Sequence, residues 1–143
     1  MTNYPLTSFQ FIVDWGGTRT GFTEVTGLTM SNQVVEYREG TSTALTASKM
    51  PGLRKFDNII LKRGLFPGDN DFYAWINSIA LNTVERRDIH ISLMDASKSP
   101  VMTWLVLNAW PCRLSYSNLK SEESHTMMEE LEIAHEGWTV KIP

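Results

Sequence analysis

The chain has 143 residues and a mass of 16.3 kDa, with 42% hydrophobic and 20% charged residues, an ordinary globular composition that excludes a disordered or collagen-like chain. Compact folding at this mass leaves about 7,500 Å² of surface exposed and gives room for a core without staples. Thirteen Lys and Arg against sixteen Asp and Glu, a formal charge of −3, argue against tight DNA or RNA binding. The single Cys112 excludes an internal disulfide and suits folding in the cytoplasm, and the residues from Met1 to Val13 have neither the basic start nor the apolar run of a signal peptide.

In chain order, Phe9, Phe11, Val13 and Trp15 alternate as in a half-buried strand, which Gly16-Gly17 ends. The residues from Thr20 to Val25 are expected to pair back on it as a hairpin, and those from Leu28 to Arg38 to form the next strand. Residues 39–52 read as a long exposed loop, polar and with a breaker near each end, the first candidate contact element. Ile59, Ile60 and Leu61 mark a strand that stops at Gly64. A helix capped by Asp69 or Asn70 follows, with Phe72, Trp75, Ile76, Ile79 and Ala80 on one face.

Ile89, Ile91 and Leu93 alternate with His90 and Ser92, and a turn at 95–100 leads into Val101 to Asn108, apolar at almost every position, which predicts a hairpin whose second strand is covered on both faces. Trp110-Pro111 is expected to interrupt the ladder before a further strand through Leu114 and Tyr116. Residues 121–135 have helical propensity, yet Met127, Glu129, Leu131 and Ile133 also alternate. Leu131, Ile133 and Val140 around the break at Gly137 favour two closing strands.

Signals for chemistry are weak. His90, His125 and His135 are scattered, with neither a zinc-binding helix motif nor a paired cysteine, and Cys112 beside Pro111 reads as a small buried hydrophobe rather than a nucleophile. No glycine pattern builds a phosphate loop. Catalytic residues, metal ligands and cofactors are therefore not expected. The compact charge run Glu85-Arg86-Arg87-Asp88 is either a solvated corner or a contact that registers one subunit against another, and the five Trp either fill a core or anchor an interface.

Taken together, Gly21-Phe22-Thr23-Glu24-Val25-Thr26-Gly27-Leu28, Glu36-Tyr37-Arg38-Glu39-Gly40, Pro51-Gly52-Leu53, the stretch from Ile59 to Gly64, Phe72-Tyr73-Ala74-Trp75, Glu85-Arg86-Arg87-Asp88, Asn108-Ala109-Trp110-Pro111 and Leu131 to Gly137 resemble the tail tube proteins of contractile-tailed bacteriophages and the inner tube proteins of extracellular contractile injection systems. The resemblance implies a mainly β fold, a barrel or sandwich of antiparallel strands with one packed helix, in a single domain over 1–143, and resolves residues 121–135 as strand. It also implies a structural protein rather than an enzyme, made in the bacterial cytoplasm and assembled into a phage tail or extracellular particle without a membrane anchor. Six-fold rings of such subunits stack into a hollow tube. Its partners would be further copies of itself, a surrounding sheath, baseplate or tube-initiator proteins, and DNA or protein cargo passing through the lumen without tight binding.

Candidate ring-closing or stacking residues are Asn3, Tyr4, Tyr37, Arg38, Glu39, Gly40, Lys49, Met50, Glu85, Arg86 and Arg87, within the N-terminal segment 3–6, the loop 40–52 and the charge run. Lys62 and Arg63 are also expected at subunit contacts. Competing readings are the ring-forming tube protein of type VI secretion and a monomeric barrel with a cavity lined by Trp and Met for a small apolar ligand.

Overall fold

A computed structural model of the protein describes residues 4–7, 10–17, 20–41, 43, 45–81, 83–122 and 124–142. In β1 (Phe11–Asp14) Val13 is buried between outward-facing Ile12 and Asp14, and Trp15 just beyond is buried as well, as the two-residue period demands. Phe9, expected to start this strand, lies outside the described residues. The next strand, β2 (Glu24–Thr26), corrects the expected hairpin: it pairs not with β1 but with β5 (Ile59–Gly64), Glu24 opposite Lys62 and Thr26 opposite Ile60. Val25, partly buried against the core, sits opposite the fully buried Leu61, so apolar packing decides the partner.

Between these two strands the chain leaves the body as a separate two-stranded ribbon, β3 (Met30–Tyr37) and β4 (Ser48–Phe56). Residues 48–52, expected to be loop, are therefore strand, with Tyr37 opposite Ser48, Glu36 opposite Lys49 and Val35 opposite Met50. Nearly every residue of the ribbon is exposed, and a strand with no core face shows no alternation to read. A register shift between Asn32 and Val34 falls opposite Gly52, where an added Cβ would lie 3.0 Å from Val35 Cγ2.

The helix α1 (Asp71–Asn77) is shorter than expected and leaves Ile79 half-buried and Ala80 exposed beyond its end. There the Ser78 hydroxyl donates to the Trp75 carbonyl at 2.6 Å, the local competition with the helix ladder that serine commonly provides. Asn70, one of the two expected caps, stands at the N-cap position, but its side chain makes no capping hydrogen bond.

The predicted hairpin forms from β6 (Arg87–Met94) and β7 (Pro100–Tyr116). Trp110-Pro111 does not interrupt it: β7 runs on for 17 residues with a register shift between Pro111 and Arg113. Beyond Ala109 the strand is paired only with β8 (Met128–Ala134), which leaves a place for a residue without an N–H. Of the ambiguous segment 121–135, residues 128–134 are strand β8 while 121, 122 and 124–127 lie outside any strand; β9 (Trp138–Lys141) then closes the fold, continuing along β7 from Val106 to Thr103.

The larger sheet thus runs β1-β6-β7-β8-β5-β2, with β9 also on β7. Because β7 gives its first half to β6 and β9 and its second half to β8, one strand joins both layers of an antiparallel sandwich. Val13, Ile89, Ile91, Val106 and Ala109 of one layer and Ile59, Leu61, Leu131 and Ile133 of the other form the core, which α1 completes with Phe72 and Trp75. Of the five Trp, Trp15 and Trp75 are buried and Trp104, Trp110 and Trp138 are half-buried.

Candidate functional site

The ribbon of β3 and β4 is the first feature that a free-standing protein does not explain. Val34 is 61% exposed, Tyr37 52% and Leu53 79%, although an isolated two-stranded ribbon is at best marginally stable in water. Its root is firmly held. Phe56 packs edge-on against His135 and Trp138 at 5.9 and 5.5 Å between ring centres, and the His135 ring approaches the Asp57 carbonyl at 2.8 Å through Nε2 while Nδ1 accepts the Gly137 N–H at 3.0 Å. Gly27 turns into the ribbon at φ +93, where a Cβ would sit 2.1 Å from the Asn58 carbonyl oxygen. The accessible surface totals 10,215 Å², against the roughly 7,500 Å² that a compact monomer of this mass exposes.

Six of the candidate contact residues fall on this ribbon. Tyr37, Arg38, Glu39 and Gly40 lie at the far end of β3 and just beyond it, and Lys49 and Met50 lie near that end of β4, opposite Glu36 and Val35. The Tyr37 hydroxyl donates to Glu39 at 3.4 Å. Tyr4 is 84% exposed on the N-terminal segment, whereas Asn3 lies outside the described residues.

The charge run forms a second cluster. Arg87 lies over the Trp75 ring at 4.4 Å and pairs with Glu85 at 3.1 Å, and Arg86 reaches Glu136 at 3.7 Å. Arg63 corrects an expectation: it is no surface contact but fully buried, bonded through Nε to Glu129 at 2.6 Å and set 4.0 Å over the Phe72 ring, with Trp15 and Phe22 completing the aromatic surround. Lys62, on the opposite face of β5, pairs with Glu130 at 3.5 Å. Leu53 and Val34, the most exposed apolar side chains of the ribbon, were not among the candidates. Their signal was weak, because an apolar residue in a polar stretch looks the same whether it faces solvent or a neighbour.

Open strand edges are the third feature. Among the described residues, β1, β2 and β9 each pair with a strand on one side only, although the Val13 N–H on the other side of β1 donates to the Thr20 carbonyl at 3.0 Å, and unpaired edges are templates for another chain.

Small-ligand chemistry finds less support. An apolar groove of about 220 Å³ lined by Phe11, Val25, Leu28, Leu93 and Trp104 opens to solvent beside Leu6, below the size range of ligand sites. No group of three or more metal-ligating side chains occurs among the described residues. Cys112, expected to be buried, is exposed on the β7 irregularity with its thiol 3.4 Å from the Glu132 carbonyl oxygen. Partial burial, and then the charge of Glu132, push this thiol up from its ordinary value, away from the thiolate a nucleophile needs.

A firmly rooted but uncovered ribbon, open edges and surplus surface define a structural subunit built to be covered by neighbours. The family comparison agrees: residues 7–139 match the T4-like virus tail tube protein gp19, and the chain belongs to that family, which is structural. Among solved structures it is similar, at 34% identity and a TM-score of 0.89, to a chain of the PVC sheath-tube complex of an extracellular contractile injection system, covering 99% of this chain and 94% of that one. A chain of the anti-feeding prophage cap, the AFP tube terminating cap, is also 34% identical, with a TM-score of 0.90 and coverage of 100% and 95%. A type six secretion system protein shares the fold at 10% identity and a TM-score of 0.52, over 91% of this chain and 81% of that one. No curated protein matches the chain.

Proposed function

We propose that the protein is the repeating subunit of the inner tube of a contractile injection system or phage tail, that six copies close into a ring, and that rings stack into a hollow tube. The observation that carries this reading is the uncovered β3–β4 ribbon on a subunit with roughly 2,700 Å² more surface than its mass requires. A ring contact is heterologous, so each copy offers two different patches. The open edges of β1, β2 and β9 serve ring closure by strand addition, and the ribbon, with Tyr37 to Gly40, Lys49 and Met50 near its tip, serves stacking.

The solved relatives come from sheath-tube and tube-terminator assemblies, which supports a sheath around the tube and a terminator at its end as partners. The assembled particle acts outside the cell that makes it, and the subunit carries no catalytic role. No helix among the described residues is long and apolar enough to cross a membrane. The type VI reading is less favoured, since the relatives at 34% identity are tube and cap chains of the phage-like branch.

Deleting residues 38–47 and joining β3 to β4 with a two-residue turn tests the role of the ribbon. Rings without tubes are expected by negative-stain electron microscopy. Full-length tubes from this variant would exclude the ribbon tip from stacking.

A further inference from the structure

One imidazole bridges the joint between the ribbon and the body. Phe56 ends β4 and Asp57 follows, its N–H donating to the Thr29 carbonyl at 3.2 Å where the ribbon leaves the sandwich. Against this joint stands the turn from His135 to Gly137 that separates β8 from β9. Two backbone bonds fix the turn to β7, from the Glu136 N–H to the Leu107 carbonyl at 3.0 Å and from the Leu107 N–H to the Gly137 carbonyl at 2.9 Å. Gly137, at φ +117, has no room for a side chain, since a Cβ would lie 3.0 Å from the Phe56 ring. The His135 ring reaches from this fixed turn to the ribbon joint.

Both polar partners of the ring are backbone groups with a single role each. The Asp57 carbonyl only accepts, so Nε2 carries the proton and donates to it; the Gly137 N–H only donates, so Nδ1 is bare and accepts. These contacts fix the neutral Nε2–H tautomer. A second proton, on Nδ1, would face the Gly137 N–H donor to donor at 3.0 Å. The charged groups on the elements around the joint are Lys55 and Asp57 at the end of the ribbon, Glu132 and Glu136 along β8 and the turn, Lys62 farther along β5, Arg113 on β7 and Lys141 at the end of β9. Carboxylates favour a charged imidazole, yet among the described residues none bonds to either ring nitrogen. Glu132 accepts from Asn58 at 2.9 Å, and Glu136 accepts from Asn108 at 2.5 Å with Arg86 at 3.7 Å.

We infer that His135 is a proton-sensitive latch on the ribbon: the neutral ring ties the joint to the turn, and a proton on Nδ1 releases the Gly137 N–H and loosens the hold on Phe56 and Asp57. The sign follows from proton counting. Nδ1 takes its proton only when the Gly137 bond is broken, so the loosened joint holds more protons than the latched one and the latch weakens as pH falls. Imidazoles gain their proton between about pH 8 and 5, which places the change in that interval. The device lies within one subunit and goes beyond the tube reading, on which it does not depend.

Hydrogen exchange of the full chain, read by mass spectrometry and corrected for the chemical effect of pH, tests the latch. Between about pH 8 and about pH 5, protection of peptides containing Asp57 and Gly137 is expected to fall at least about tenfold, while peptides around Ile91 and Val106 in the core change less than about twofold. In His135→Asn the side-chain oxygen replaces Nδ1 as acceptor for the Gly137 N–H, as asparagine does in local turns, without a titrating ring. Its protection should be the same at both pH values, with circular dichroism confirming the fold. Nitrogen NMR of histidine-labelled protein at about pH 8 should show the ring that is lost in this variant protonated at Nε2 alone. His90 and His125 remain in the variant, so a pH dependence that persists there has another source and overturns the latch. Unchanged protection in the wild-type chain, or a His135 ring protonated at Nδ1 at about pH 8, overturns it as well. Each of these outcomes leaves the tube reading standing.

Discussion

Arg63 and Glu129 are an ion pair with no solvent contact, an arrangement that stabilises only when the attraction exceeds the cost of desolvating both charges. Here the guanidinium recovers part of that cost from the Phe72, Trp15 and Phe22 rings. Removing one charge leaves the other buried without a partner, so Glu129→Leu is expected to cost about 3–5 kcal/mol in urea unfolding, and Arg63→Met with Glu129→Leu much less. Equal losses in the two variants would show that the ion pair itself, rather than the orphaned charge, carries the stability. At Cys112 the sign follows from its raised pKa: at any pH below that value the thiolate fraction is smaller than for a free thiol. Its alkylation at pH 8 should be slower than that of a model peptide, despite exposure, and Glu132→Gln should speed it. A rate equal to the peptide's would contradict the environment described.

At the scale of elements, the ribbon separates folding from assembly. Leu53, exposed in the subunit, should tolerate Leu53→Glu with a stability change within about 0.5 kcal/mol, while tube formation is lost. A large fall in thermal stability would mean instead that the ribbon supports its own subunit. Gly27→Ala should behave oppositely: its positive φ and the contact with the Asn58 carbonyl make the turn intolerant of a side chain, and the loss should appear as unfolding of the whole subunit. The same division explains what could be read beforehand. β1, β5, β6 and β8 each bury one face; alternation declared β1 and β6, the run Ile59, Ile60 and Leu61 declared β5, and β8 was left between helix and strand until the resemblance favoured strand. The ribbon buries neither face, so β4 passed for a loop, and the partner of β2 depended on packing against Leu61 that no local pattern encodes. Arg63 looked like a surface cation because only the fold brings Glu129 and three aromatic rings around it.

For the whole molecule, the sandwich is complete as a fold and incomplete as a surface. Among the described residues its buried core is apolar apart from one ion pair, yet the ribbon stands uncovered. The motif from Glu36 to Gly40 and the polar stretch after it drew attention to this part of the sequence, and the structure gathers Tyr37 to Gly40, Lys49 and Met50 near one end of the ribbon. The most direct measurement of the central claim is negative-stain electron microscopy of the purified protein across a concentration series, with sedimentation velocity on the same samples and a repeat in the presence of baseplate proteins. Hollow tubes of uniform diameter built from stacked six-fold rings are the predicted result. A strict monomer at every concentration, with and without those proteins, would contradict it.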